Sequence, residues 1–259
     1  MKVAPQVTAM VLTFNEEANI GRCLDKLTWA ERILVVDSGS TDGTLGIAGR
    51  YGSARVVQRA FDDFASQCNF GLAQIETPWV LSLDADYELS EQLIAEIARL
   101  EDDGAAGYSA AFIYRMHGRP LRGSLYPPRV VLYRRGLATY RNEGHGHRVR
   151  VDGTIARLEG KIYHDDRKPL ARWFTSQQRY ARAEADHLLA TAPSELGRAD
   201  RLRLKGWPMP IAVFLYTLIW KRCLLDGWPG WLYALQRLAA ETMLALEIVD
   251  RRLRGNSIP

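Results

Sequence analysis

Two carboxylates separated by one residue, Asp84 and Asp86, close an apolar run, Trp79-Val-Leu-Ser-Leu83, that reads as a buried strand. In an extended chain residues i and i+2 face one side, so both acids can address the same small volume. Like charges held that close repel, and a hard divalent cation is the usual remedy. Aspartate is also common in solvated turns. The pair therefore gains meaning only from its surroundings.

Those surroundings are an alternation of strands and helices. Val7–Thr13 reads as a first strand, and Asn15 as the N-cap of a helix whose face carries Ile20, Cys23, Leu24 and Leu27. Arg32–Asp37 reads as a second strand, Ser38–Thr44 as a polar turn, Leu45–Tyr51 as a helix and Ala54–Gln58 as a third strand. Such β-α-β-α-β order predicts parallel strands with right-handed crossovers, and ligands bind beyond the carboxyl ends of strands of that kind. Thr13, Asp37 and Asp84 all fall at such ends. The turn after the first strand has no Gly-x-Gly-x-x-Gly fingerprint and no Walker-type Gly-Lys-Ser/Thr loop, which argues against a Rossmann dinucleotide site and a P-loop. An acid at Asp37 can accept hydrogen bonds from a base N–H or a ribose hydroxyl. A metal held by Asp84 and Asp86 would then take a diphosphate.

Composition is that of a globular protein of 259 residues, room for one large domain or one domain with an appendage. Cys23, Cys68 and Cys223 stand far apart and predict neither a disulfide framework nor a zinc site, so a reducing compartment is expected. The N-terminus does not read as a signal peptide. Residues 1–90 hold 7 Lys/Arg against 12 Asp/Glu, whereas residues 167–222 hold 11 against 4. A basic segment of that kind can meet anionic lipid, nucleic acid or a phosphorylated ligand.

Four motifs in order, Val11-Leu-Thr-Phe-Asn-Glu-Glu17, Val35-Val-Asp-Ser-Gly-Ser-Thr-Asp-Gly-Thr44, Asn69-Phe-Gly71 and Leu83-Asp-Ala-Asp86, resemble the successive motifs of family 2 glycosyltransferases. Looser later pieces resemble the lipopolysaccharide core β-glucosyltransferase group: Pro128–Gly136, Tyr163-His-Asp-Asp166, Gln178–Ala181 and Leu225–Gly230. The resemblance implies an α/β GT-A fold, a mainly parallel central sheet flanked by helices. Residues 1–166 would form the transferase domain, with 1–90 binding the nucleotide-sugar and 91–166 the acceptor, and residues 167–259 a helical C-terminal extension. Carried over by position, Thr13, Asn15 and Asp37 would hold uracil and ribose, Asp84 would sit by ribose and metal, and Asp86 would ligate a Mg²⁺ or Mn²⁺ ion. Asn69 would belong to the same donor site. Where the family often has Arg-Asn-x-Gly this chain has Cys68-Asn-Phe-Gly71, so Arg59 is the expected substitute cation. GT-A enzymes frequently bring a later histidine to the metal or diphosphate, which points to His164.

An inverting transfer also needs a base for the acceptor hydroxyl. Tyr140-Arg-Asn-Glu-Gly-His-Gly-His-Arg148 reads as a glycine-bearing loop, with Glu143 the first candidate and His147 and Asp165 behind it. His117 and His187 have no expected role. Beyond residue 170 the chain reads as helical, with Trp173, Tyr180, Ala183 and Leu188 on one face. Ile211–Trp220 is apolar except for Thr217, too short to span a bilayer. Flanked by Lys221, Arg222 and several tryptophans, it suits a membrane surface or a homodimer contact, and a buried core helix explains it equally well.

The expected activity is transfer of a hexose, with UDP as the expected carrier, to a lipid-linked envelope glycan such as lipopolysaccharide core, at the cytoplasmic face of the membrane. Nucleic acid is not an expected partner. The alternatives are a polyprenyl-phosphate glycosyltransferase and a non-catalytic sugar-nucleotide or lipid-binding module. A nucleotidyltransferase is disfavoured, because Thr13-Phe-Asn-Glu-Glu17 is acidic where a triphosphate should lie.

Overall fold

The computed structural model describes residues 2–143 and 146–255, with the side chains of Pro5 and of residues 142–148 outside that description. The chain divides into two compact units, residues 1–115 with 126–167 and residues 116–125 with 168–259.

The first unit opens with β1 (Val7–Thr13), α1 (Ile20–Asp25), β2 (Arg32–Asp37), α2 (Thr44–Ala48), β3 (Ala54–Gln58), α3 (Phe64–Ala73) and β4 (Trp79–Asp84). It continues through β5 (Tyr87–Leu89), α4 (Glu91–Arg99) and β6 (Gly107–Met116). After β7 (Arg119–Pro120), which belongs to the second unit, come β8 (Arg129–Arg134), β9 (Ala138–Glu143), β10 (Gly146–Val151) and β11 (Ile155–His164). The main sheet runs β3-β2-β1-β4-β8-β6-β11-β5. Its first four strands are parallel, as the β-α-β alternation predicts. Antiparallel β8 then joins β4 to β6, β11 runs parallel to β6, and short β5 closes the sheet antiparallel to β11.

Both faces of β1, β2 and β4 are covered, which is why these strands are apolar almost throughout, whereas edge strand β3 has no fully buried residue. Val7, Ala9 and Val11 of β1 point into one core layer with Ile20 and Leu24 of α1 and Leu93 and Ile97 of α4. Met10, on the other face, meets Cys68 and Leu72 of α3 with Val36 and Tyr140. Caps set where the helices begin. Asp63 accepts from Ser66 N at 2.8 Å to start α3, and Ser90 accepts from Leu93 N at 3.2 Å to start α4. Ser90 Oγ also accepts from Lys161 N, tying α4 to β11. There Gly160 passes so close that a Cβ would lie 2.4 Å from Leu93 Cα.

Two local expectations change. The first helix begins at Ile20, and Asn15 adopts a left-handed backbone (φ 53°) in the preceding turn, so it is no N-cap. Where a loop is expected around residues 140–148, residues 138–143 and 146–151 pair as the antiparallel strands β9 and β10. Alternating apolar side chains, with Ala138 and Tyr140 buried in the second core layer, give β9 its inward face.

The second unit is mostly helical: α5 (Leu170–Ala190), α6 (Arg198–Arg203), α7 (Pro208–Leu215) and α8 (Trp228–Leu253). Its core joins α5 to α8 through Ala181, Ala185 and Leu188 against Leu244 and Ile248. The buried stripe of α5 is thus Ala181, Ala185 and Leu188; of the four residues expected in it only Leu188 is buried, and Trp173, Tyr180 and Ala183 stay outside the core. Pro208-Met-Pro210 begins α7, since proline is well tolerated in a helix's first turn. One π turn, Tyr216–Trp220, extends α7.

Candidate functional site

Register builds the site. The antiparallel pairing of β5 with β11 sets His164 opposite Tyr87, next to the turn that carries Asp86. As a result His164 Nε2 lies 3.1 Å from Asp86 Oδ2, and Asp165 N donates to Asp86 O at 3.2 Å. Asp84 ends β4, one residue past the partner of Val11 in β1. Its charge and that of Asp86 both raise the His164 pKa; burial pulls the other way, and the net shift is upward. His164 Nδ1 is buried without a hydrogen-bond partner. Around the imidazole stand Tyr87, Tyr114 and Tyr126, with ring centroids 5.2, 4.6 and 4.8 Å away. The phenols of Tyr87 and Tyr126 hydrogen-bond to each other. Cys23 is fully buried, and burial first, then the charges of Asp86, Asp84, Glu88 and Glu16, push its thiol far up. That thiol is inert.

Sequence reasoning missed one cation here. Arg129, the first residue of β8, stacks 4.7 Å over the Tyr126 ring. Burial lowers its pKa, and Tyr87, Tyr126, Asp84 and Asp86 together raise it to a net rise, so the guanidinium feels the same field of charge. Arg129 lies within Pro128–Gly136, where the family resemblance is loose. No local spacing could show that β8 enters the sheet beside β4.

Nearby, two turns at the carboxyl ends of β1 and β2 are laced together. Asn15 N donates to Ser40 Oγ, and Thr41 N donates to Asn15 Oδ1, both at 2.7 Å. Glu16 N donates to Thr44 Oγ1, and Glu17 accepts from Gly43 N at 3.1 Å. Asp37 is buried; its Oδ2 accepts from Gly39 N, Ser40 N and Gln58 Nε2, and its Oδ1 accepts from Ser40 Oγ alone, which leaves that oxygen room for a further donor. Asp37 therefore shapes the turn. Thr13, buried at the end of β1, has a hydroxyl with no partner, a group a ligand could satisfy.

Other expected site residues carry internal duties. Arg59 grips Asp62 through two nitrogens at 2.7 and 2.6 Å and donates to Gln67. Asn69, on α3, exchanges two 3.0 Å hydrogen bonds with the backbone of Tyr140, bracing β9. Asp165 is 0% exposed, and its Oδ2 takes Arg22 Nη1 at 3.2 Å and Arg167 Nε and Nη2 at 3.0 and 2.8 Å. Arg22 also binds Asp165 O, Asn19 Oδ1 and Glu88. That arrangement suits a brace beneath His164 and Asp86 and not a base open to an acceptor. Glu143 and His147 sit on facing strands of the β9–β10 pair, and their side chains lie outside the described residues.

Asp86 and His164 fit a divalent cation by donor chemistry and by spacing. Bonds of about 2.1 Å in an octahedron put neighbouring donors about 3 Å apart. Among the described residues no group of three His, Cys, Asp or Glu side chains is placed to hold an ion.

A nucleotide-type parallel half, a mixed half continuing the same sheet, and acids at the carboxyl edge where the two meet define a GT-A fold. A structure of the Pyrobaculum calidifontis mannosyltransferase PcManGT in complex with GDP-Man and Mn²⁺ superposes with a TM-score of 0.54 at 17% identity, over 97% of this chain and 88% of that one. The glycosyl transferase family 2 model matches residues 8–159, and the chain belongs to that family. It is 33% identical to the lipopolysaccharide core biosynthesis glycosyltransferase LpsC of Rhizobium meliloti, over 52% of this chain and 50% of the relative. An uncharacterized glycosyltransferase of Rickettsia felis is 29% identical over 61% of this chain and 59% of its own length. The matched region thus spans only half to three-fifths of these curated relatives.

Proposed function

We infer that this chain is a metal-dependent, inverting glycosyltransferase that moves a hexose from a nucleotide-diphospho-sugar, UDP-linked in our reading, to a lipid-linked cell-envelope glycan such as lipopolysaccharide core. The observation that carries it is the Asp86–His164 pair, 3.1 Å apart at the carboxyl edge of the sheet with Asp84 beside it. Similarity to LpsC supports the acceptor class. The PcManGT complex supports a nucleotide-sugar and a divalent ion on this fold.

Asp86 and His164 would hold Mg²⁺ or Mn²⁺, with the Asp84 charge nearby adding to the field, and the ion would neutralise the leaving diphosphate. Arg129 adds a second positive charge toward the phosphates. The open hydroxyl of Thr13 and the laced turns at Asn15 and Ser38–Thr44 receive the nucleoside. On the β9–β10 pair, Glu143 is the proposed base, with His147 behind it. The base takes the acceptor hydroxyl proton as that oxygen bonds to the anomeric carbon, while the bond to the diphosphate oxygen breaks on the opposite face, which inverts the centre. Asp165, with Arg22 and Arg167, keeps His164 and Asp86 in register. The reaction would take place at the cytoplasmic membrane surface, where such acceptors are built.

Calorimetric titration of UDP with and without Mn²⁺, into wild type and Asp86→Ala, tests the donor site. Metal-dependent binding that the substitution abolishes is the expected result, and absence of UDP binding to wild type in both conditions would sink the uridine assignment. Glu143→Gln is expected to lose turnover and keep donor affinity, and unchanged turnover removes Glu143 as the base.

A further inference from the structure

The second unit presents an apolar face that its own fold leaves uncovered. Trp207, Ile211, Leu215 and Ile219 recur every four residues along α7 and its π turn, and Trp220 and Trp228 continue the face past the helix end. The three tryptophans are 76, 75 and 85% exposed. Isolated apolar residues on a surface need no explanation, whereas a row of this size marks an interaction site.

The face is held in place rather than frayed. Met209, Val213, Thr217 and Leu218 on the reverse side of the helix are buried. The following segment lies so tightly on α8 that a Cβ at Gly230 would meet Cys223 O at 1.8 Å. Residues 121–125 clamp it: Arg122 N and Nε donate to Asp226 at 3.0 and 3.1 Å, Cys223 Sγ approaches Gly123 O at 3.4 Å, and Leu125 N donates to Tyr233.

Charge decides what covers it. From Gly206 to Leu225 the chain has no acid, and Lys205, Lys221 and Arg222 edge the stretch. The next carboxylate, Asp226, is already bound by Arg122. A two-fold contact with a second copy would set this cationic edge against itself with no acid in the stretch to meet it. A bilayer with anionic headgroups meets both features at once. Tryptophans lodge at the headgroup level, aliphatic side chains reach the acyl boundary and the cations lie among the phosphates. Among the described residues no helix is long and apolar enough to cross a membrane, and a helix and turn of this length suit the plane of the interface.

We propose that the Trp207–Trp228 face is the surface by which this protein docks on anionic lipid. The proposal rests on the membrane-linked acceptor inferred above, and names the residues and the lipid chemistry.

The test is flotation of the full chain with phosphatidylcholine vesicles, with and without phosphatidylglycerol, at low and high salt. Wild type is expected to float only with the anionic vesicles at low salt, and Trp207→Ser/Trp220→Ser/Trp228→Ser to lose at least about tenfold in partitioning. Lys221→Glu/Arg222→Glu leaves the apolar row intact, should weaken anionic binding about tenfold or more, and serves if the triple variant misfolds. Wild type that fails to float, or variants that float as well as it does, overturn the proposal. So does a dimer by sedimentation that the tryptophan substitutions dissociate without any vesicle binding. Metal-dependent UDP titration of the same variants separates the two readings. Lost flotation with intact UDP binding touches only the docking face, and lost UDP binding in wild type touches the transferase.

Discussion

Replacing Asp165 by asparagine distinguishes a brace from a base. The amide has nearly the shape of the carboxylate, so packing is preserved and only charge is removed. Three hydrogen bonds from Arg22 and Arg167 converge on Asp165 Oδ2. Each loses its charge assistance, about 1 kcal/mol per bond in a dry setting. The arginine side chains are 23 and 40% exposed, so solvent screens part of that. The expected destabilisation is about 2 kcal/mol, which over a chain of this length lowers the melting temperature by about 4 °C. Because Asp165 N also holds Asp86 O and His164 precedes it, metal-dependent UDP affinity should fall severalfold as well. Urea or thermal unfolding and a UDP–Mn²⁺ titration read the two effects. Unchanged stability and donor affinity with turnover down more than about a hundredfold would be the signature of a general base, and would refute the brace.

Arg129→Ala should weaken UDP about 10- to 100-fold, the worth of one charge-assisted bond to phosphate, and leave uridine affinity unchanged in a competition titration. Asn69→Ala removes both bonds to the Tyr140 backbone and should cost about 2 kcal/mol in chemical denaturation. Gly160→Ala forces a methyl against the Leu93 backbone, where nothing flexible can yield, so a loss of about 3 kcal/mol or failure to fold is expected in the same assay.

Much of the parallel half was legible because each of its strands is a short apolar run closed by a turn. Val7–Thr13, Arg32–Asp37 and Ala54–Gln58 have the expected bounds. The pairing of β9 with β10 escaped notice, because glycines and charges mask an alternation whose buried side depends on α3. Asp84 and Asp86 stood out, being two residues apart. That His164 approaches Asp86, and that Arg129 joins them, depends on strand order, which no window of sequence contains. The internal bonding of Asp37, Arg59, Asn69 and Asp165 was illegible for a related reason: a polar residue near a site looks alike whether it faces ligand or protein until its partners are known.

The pairing of β5 with β11 also bears on how the chain acquires its site. Asp86 and His164 are 78 positions apart, and β11 must slot between β6 and β5 before they meet. Closing so long a loop is slow and entropically unfavourable until many other contacts repay it. On this argument the Asp86–His164 pair is expected to form late in folding, after the parallel half. A ligand that binds through that pair reports completion of the sheet, so its binding should appear in refolding after β1, β2 and β4 are already protected from hydrogen exchange.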